Sequence, residues 1–391
     1  MLTNQELQTI QTCFAEKFGG DDGRLFFAPS RINIIGEHID YNGGRVLPCA
    51  IEIGTYACVR QRADRKIRLF SMNLDQEEPL VLDLDNDGYD EERGWLNYPM
   101  GMLKYLKEQG FRTGGFEGVV FGNIPNGAGL SSSASLELLV GQICSTFFNN
   151  GEIPMLDLVK TGKRVENDYF GLMTGIMDQF AIGMGKADHC ILLNTASLQY
   201  DYIPLELGEY CFVIMSTNYR RELKDSKYNE RRAECESGLS DLQAAGFKLK
   251  NLCEMDSSGW KQAEASISAP NVRKRIEHVV TENERVDRAV AAMRAMDMVT
   301  LGELLCASHA SLKDLYEVTG PHLDAIVEGA MQAGAIGARM TGAGFGGCAI
   351  ALVKKEQTED FIEKTGRYYR EQTGLTGSFF ISGVDNGPRE L

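Results

Sequence analysis

The sequence contains no Cys-x-x-Cys pair, although it has ten cysteines, and its five histidines share no metal-ligand spacing. A disulfide framework or a zinc site is therefore not expected, and free buried thiols in a reducing compartment are. There is no uncharged apolar run of about 18 residues, which excludes a helical membrane span. Positive charge is in short supply: Lys+Arg is 40 against 55 Asp+Glu, a formal net charge of −15. Such a surface repels nucleic acid and anionic membranes, so neither is an expected partner. No internal repeat, low-complexity tract or flexible linker interrupts the chain. The N-terminal segment has polar residues spread throughout it and reads as an amphipathic helix rather than a signal peptide. The expectation is a soluble, cytoplasmic protein, and 391 residues suggest two domains.

Glycine is abundant: 42 of 391 residues, or about 11% against a typical ~7%. The glycines cluster, which points to tight backbone loops. Short β-branched or alternating runs predict strands over 45–53 and 55–61, flanking Gly54, and over 66–71, 79–84, 116–122, 190–194, 209–216 and 348–353. Helical spacing predicts helices over 96–108, from Leu136 to Phe147, and over 155–170, 175–184, 226–245, 282–296, 301–316 and 323–332. Strands and helices mix without regular alternation, which predicts an α+β fold with halves 1–204 and 205–391.

Four segments carry chemistry. The run 127–135, GAGLSSSAS, follows a predicted strand and opens a predicted helix. Glycines let backbone approach an anion, and free amides at a helix N-terminus favour phosphate. It is not a Walker A loop, since no Gly-Lys-Ser/Thr follows, and the same run would serve as an ordinary capped loop. The run 31–48, RINIIGEHIDYNGGRVLP, sets Glu37, His38 and Asp40 within four positions. Neighbouring carboxylates suit a polyol, because each accepts several hydroxyl hydrogen bonds; a solvated acidic turn would look the same. GIMDQ, 175–179, places Asp178 in an apolar setting, as a catalytic carboxylate or as a helix cap. RMTGAGFGG, 339–347, is either a second backbone wall around a ligand or a tight β connection.

Together these segments, in this order and with DSKYNER at 225–231, resemble galactokinases of the GHMP small-molecule kinase superfamily. Glu37, His38, Asp40, Tyr41 and Gly44 all match the first family motif. The resemblance implies a ribosomal-protein-S5-like N-terminal domain, a ferredoxin-like C-terminal domain and a site between them. It implies transfer of the ATP γ-phosphoryl group to the C1 hydroxyl of galactose. Asp178 would be the base and Arg31 its neighbour; in a competing account Arg31 acidifies the hydroxyl and Asp178 orients it. Glu37, His38, Asp40, Gly175 and Tyr228 would hold the sugar. Gly127, Ala128, Gly129, Leu130, Ser131, Ser132 and Ser133 would wrap the ATP phosphates, and Ser71 would contact the nucleotide. Ser133 and Glu166 would hold Mg2+, a hard ion suited to oxygen ligands. A monomer is favoured.

Three positions depart from the family pattern. Ser30 stands where relatives usually have Gly, with a minor backbone effect expected. Arg45 stands where many have His. Ile39 stands where many have Thr, and it also occurs in relatives that prefer N-acetylgalactosamine. An N-acetylgalactosamine or other hexose kinase is thus one alternative, and a non-catalytic galactose/ATP sensor is another.

Overall fold

The computed structural model describes residues 1–125, 129–219 and 224–391. Its first half is organised by a six-stranded sheet. In spatial order the strands are Arg389–Glu390, Arg24–Asn33, Pro48–Gln61, Phe116–Gly122, Lys66–Ser71 and Leu80–Asp83. Lys66–Ser71 pairs in parallel with Phe116–Gly122, and the other neighbours are antiparallel. Successive strand residues point to opposite faces, and here both faces are covered. Phe26, Ala28, Ala57 and Val59 enter the main core. Phe27, Tyr56 and Cys58 point the other way, against Ile10 and Phe14 of the helix Asn4–Phe18. That helix starts with a capping box, in which Thr3 and Glu6 satisfy each other's backbone amides. On the main-core face the helices Ser132–Phe148 and Met177–Gly183 lie on the sheet, and Asn97–Glu108 and Met155–Arg164 pack outside them.

The second half holds a four-stranded antiparallel sheet in the order Gly337–Thr341, Cys348–Lys354, Tyr210–Ser216, Ser378–Ile381. Helices Pro321–Gln332 and Thr358–Thr373 pack together against it, and Met298–Ser311 covers Gly337–Thr341. The long helix Pro270–Arg294 adjoins Met298–Ser311 and Lys224–Ala244. A small sheet of Arg45–Val46, His189–Asn194 and Tyr200–Pro204 completes the architecture. This is the mixed α+β arrangement expected from the sequence. Among the described residues no helix is long and apolar enough to cross a membrane.

Several boundaries differ from expectation. The strand Pro48–Gln61 runs through Gly54 instead of breaking there, because it pairs with Arg24–Asn33 on both sides of a register shift between Pro29 and Ser30. The helix expected to reach residue 170 ends at Arg164 and widens into a π turn, Val165–Tyr169. The helix expected from residue 282 begins at Pro270, whose fixed φ suits the first helical turn.

The two halves share one continuous core. They also meet where the end of Arg24–Asn33 touches the end of Gly337–Thr341. There the Asn33 N–H donates to Thr341 Oγ1 at 3.0 Å, and that hydroxyl donates to Asn33 O at 3.1 Å. This junction brings residues 36–41 beside the glycine-rich loop that follows Thr341. The last residues rejoin the first sheet, with Val384 bridging to Ile51.

Candidate active site

A cleft of about 390 Å³ opens at this junction. Arg31, Glu37, His38, Asp40, Gly129–Ser133, Glu166, Gly175, Asp178 and Tyr228 line it, with residues 342–347 closing one side. The four segments singled out in the sequence therefore converge, although they lie up to three hundred residues apart. Ser131, in the left-handed conformation at φ 64°, turns the chain into the helix Ser132–Phe148. The unpaired amides at the start of that helix offer an anion site beside the serine hydroxyls. Gly127 and Ala128 lie outside the described residues. Ser71 ends the strand Lys66–Ser71 and is not among the residues lining the cleft; its Oγ accepts from the Asn73 N–H at 3.3 Å.

Asp178 sits in the first turn of the helix Met177–Gly183. The Arg31 guanidinium grips it in a fork: Nε donates to Oδ1 and Nη2 to Oδ2, each at 2.8 Å. Ser131 Oγ also donates to Oδ2. The third guanidinium nitrogen of Arg31 donates to Gly129 O at 3.0 Å, tying the acid to the serine loop. Arg31 is 3% exposed whereas Asp178 is 30% exposed, so the carboxylate faces the cleft and the cation stands behind it. Each carboxylate oxygen has two lone pairs, which leaves acceptor capacity for a substrate hydroxyl.

Glu37 is buried and held by several donors. The Gly342 N–H and Asn33 Nδ2 donate to its carboxylate, and Arg339 Nη2 lies 3.8 Å from Oε1. Burial raises its pKa above the ordinary carboxylate range, against the pull of Arg339 and the Gly342 amide. Gly342 has φ +84°, and a Cβ there would lie 2.7 Å from Gly129 O, so a glycine lets the loops touch. Asp40 accepts from the backbone amides of Met177 and Tyr41; burial and the neighbouring Asp178 push it up to about 6.

His38 uses both ring nitrogens within the protein. Burial and His278 lower it to about 3, so the ring is neutral. Nε2–H donates to Ala343 O at 3.2 Å, which leaves Nδ1 to accept from Tyr41 Oη at 2.8 Å. Tyr41 in turn accepts from Tyr316 Oη at 2.9 Å. The expected sugar ligand thus braces the first-motif turn against the glycine-rich loop. The Tyr228 ring lies 5.5 Å from the His38 and Tyr41 rings and forms part of the cleft wall. Ile39 is fully buried and does not line the cleft, so this departure from the family pattern leaves the pocket wall untouched.

Glu166, in the π turn, accepts from Ser133 Oγ at 3.0 Å and from Thr174 Oγ1 at 2.7 Å. Burial and Asp178 raise its pKa. A hydroxyl and a carboxylate this close, both facing the cleft, are a donor set that suits a hard divalent ion sharing its remaining positions with phosphate and water.

Sequence reasoning missed Arg339 as a site residue, naming it only as the start of a loop motif. The available signal was an arginine inside an otherwise apolar strand. It also missed Thr174 and Asn33, whose roles arise from contacts that no local pattern encodes.

Comparison with known proteins accords with this geometry. A galactokinase galactose-binding signature matches residues 12–61, a GHMP kinases N terminal domain matches 97–186, and a GHMP kinases C terminal domain matches 289–370. A galactokinase of Enterococcus faecalis is 50% identical over 386 residues, covering 98% of this chain and 99% of the relative. One of Clostridium perfringens is 47% identical over 388 residues, covering 99% and 100%. The crystal structure of Lactococcus lactis galactokinase complexed with galactose superposes with a TM-score of 0.95 at 44% identity, covering 99% of this chain and all of that one. Methanococcus jannaschii mevalonate kinase, at 22% identity, 93% coverage of this chain, 99% of that one and a TM-score of 0.67, shares the fold. With relatives of this identity aligned end to end, the chain belongs to the galactokinase family of GHMP kinases.

Proposed function

We propose that the protein transfers the γ-phosphoryl group of ATP to the C1 hydroxyl of galactose, giving galactose 1-phosphate and ADP. The observation that carries this reading is the partly exposed Asp178, forked by a buried Arg31 and tied through Ser131 to the serine loop. One short path then joins a proton acceptor, a fixed positive charge and an anion-binding helix N-terminus. Phosphoryl transfer asks mainly for such positioning and charge neutralisation.

The chemistry follows from the placement of each group. Glu37 and Asp40 accept sugar hydroxyls, and Tyr228 walls the pocket. Asp178 accepts the C1 hydroxyl proton as the oxygen bonds to the γ-phosphorus and the bond to the ADP oxygen breaks. Arg31 cannot lose its proton in this range, so its fixed charge orients the Asp178 carboxylate through the fork and meets the charge developing on the transferred group. Gly129–Ser133 hold the phosphates. Ser133 and Glu166 would hold Mg2+, which would neutralise phosphate charge when bound. Residues 1–204 and 205–391 supply the two sides of the cleft, with the last strand lying back on the first sheet. The protein acts as a monomer, and cysteines scattered through the chain with no Cys-x-x-Cys pair support a cytoplasmic setting.

The test is sugar-dependent ADP release with galactose, N-acetylgalactosamine, glucose and arabinose, with phosphorus NMR of the product. Galactose-dependent release with an anomeric phosphate is expected. Binding of galactose and ATP without release would make the protein a sensor, and preference for another hexose would reassign the substrate.

A further inference from the structure

We infer that Arg339 is a positioning residue for the sugar site, which fixes the Glu37 carboxylate in place and supplies the charge that balances it. The inference rests on the reading of Glu37 as a sugar ligand.

Arg339 lies in the strand Gly337–Thr341 between Ala338 and Met340, and its side chain is wholly buried. A guanidinium in such a place is costly unless its charge is matched. Nη1 donates to Asn33 O at 3.0 Å and to Ile34 O at 2.9 Å. Those carbonyls belong to the segment that ends in Glu37. Nη2 lies 3.8 Å from Glu37 Oε1, and both side chains are at most 1% exposed. Nε and Nη2 have no hydrogen-bond partner among the described residues. An arginine kept only to staple backbone would leave these donors as an uncompensated cost. Their attraction to a carboxylate offsets it.

The surrounding charges single out Glu37 as that carboxylate. Among the described residues Glu282 is the other buried acid near Arg339, and it is already served: Arg285 Nε donates to it at 2.6 Å, Ser308 Oγ at 2.6 Å and the Gly36 N–H at 2.9 Å. Among the described residues Arg31, the other cation that reaches Glu37 through space, commits its fork to Asp178. His278 touches the Glu37 carbonyl at 3.1 Å and is lowered by burial to about 4, so it brings no charge. Glu37 thus faces burial with Arg339 as its own cation. An ionised Glu37 accepts hydroxyls at both oxygens, whereas a protonated one gives up part of that capacity. Arg339 does not line the cleft, so it acts through Glu37 rather than by touching sugar.

The experiment compares wild type, Arg339→Gln, Arg339→Lys, Glu37→Gln and the Glu37→Gln/Arg339→Gln double variant, varying galactose and ATP separately. Loss of a charge-assisted contact predicts that Arg339→Gln raises the galactose KM about tenfold or more, with the ATP KM within about twofold. Arg339→Lys keeps the charge without the fork and should fall between. In the Glu37→Gln background the second change should add little, since the two residues act as one unit. Equal shifts in both KM values, no shift, or effects that multiply independently in the double variant would overturn the inference. If circular dichroism shows Arg339→Gln unfolded, Arg339→Lys decides by the same KM split. Failure of wild type to release ADP with galactose would instead remove the reading of the site, a distinct outcome.

Discussion

The Gly175 backbone lies so close to Asp40 that a Cβ at this position would stand 1.7 Å from Asp40 Oδ2. No real contact is that short, so any side chain at 175 must displace the carboxylate. Because Asp40 is also held by the Met177 amide, two residues further along the same segment, it has little room to retreat. Gly175→Ala is therefore expected to raise the galactose KM by about tenfold or more, equivalent to about 1.4 kcal/mol, with little change in the ATP KM. Steady-state kinetics with each substrate varied in turn checks this. A normal galactose KM would show that Asp40 is not a sugar ligand in its present position.

Asp178→Asn replaces one acceptor oxygen with an NH2 that must face the donors of Arg31 or Ser131. The fork opens and the proton acceptor is lost together. Loss of general-base assistance predicts a fall in kcat of about 100- to 10,000-fold. Arg31 is left buried without its counter-charge, so the melting temperature should fall as well. Calorimetry on the ligand-free variant, beside single-turnover rates, separates the two effects. A folded variant that turns over at nearly the wild-type rate would leave Asp178 as an orienting group and favour the account in which Arg31 acidifies the hydroxyl.

The strands Lys66–Ser71 and Phe116–Gly122 were legible in sequence because each is a short bounded run with β-branched or alternating residues, and both lie where expected. The site was legible for a different reason. Clustered glycines, serines and carboxylates are poor building material for a core, so their presence in order marks chemistry. Elements that depend on distant partners were not legible. Arg389–Glu390 is a strand only because it pairs with Phe26 and Phe27. The helix Thr358–Thr373 is polar along much of its length and buries few side chains, among them Phe361 and Tyr369. Likewise the pattern EHID showed that His38 was special without showing that its ring is consumed by Tyr41 and Ala343. That depends on where residues 316 and 343 arrive in the fold.

With Asp40 read as a sugar ligand, its raised pKa predicts a pH dependence of galactose binding. Burial and Asp178 move it up to about 6 from the usual 3.8. An acid raised in the folded state binds a proton there that the unfolded chain has already released. Its contribution to stability is therefore present at low pH, declines between 3.8 and about 6, and is constant above. Sugar binding runs the other way, because the ionised form accepts hydroxyls. The galactose KM should rise below pH about 6, approaching tenfold per unit. Asp40→Asn should bind sugar weakly at every pH and lack this limb. Initial rates at saturating ATP, measured across the range, provide the check; an identical acid limb in Asp40→Asn would assign it to another group.

Ser30 is a departure from the family pattern for which only a minor backbone effect was expected. In the structure its buried hydroxyl donates to Leu130 O, the carbonyl immediately before Ser131. Ser30 also sits at the register shift of its strand, one residue before Arg31, which grips Gly129 O. Consecutive residues of one strand thus hold consecutive residues of the serine loop. Ser30→Gly removes one of these ties and leaves the Arg31–Asp178 fork in place. A buried neutral hydrogen bond predicts a loss of about 1 kcal/mol of stability, and the added backbone freedom of glycine contributes in the same direction. The kinetic effect should fall on the nucleotide: the ATP KM rises severalfold while the galactose KM stays near wild type. Thermal melts with and without ATP, beside steady-state rates with each substrate varied in turn, measure both. If Ser30→Gly lowers the melting temperature but leaves ATP binding unchanged, the hydroxyl serves the strand alone and the loop is positioned by Arg31.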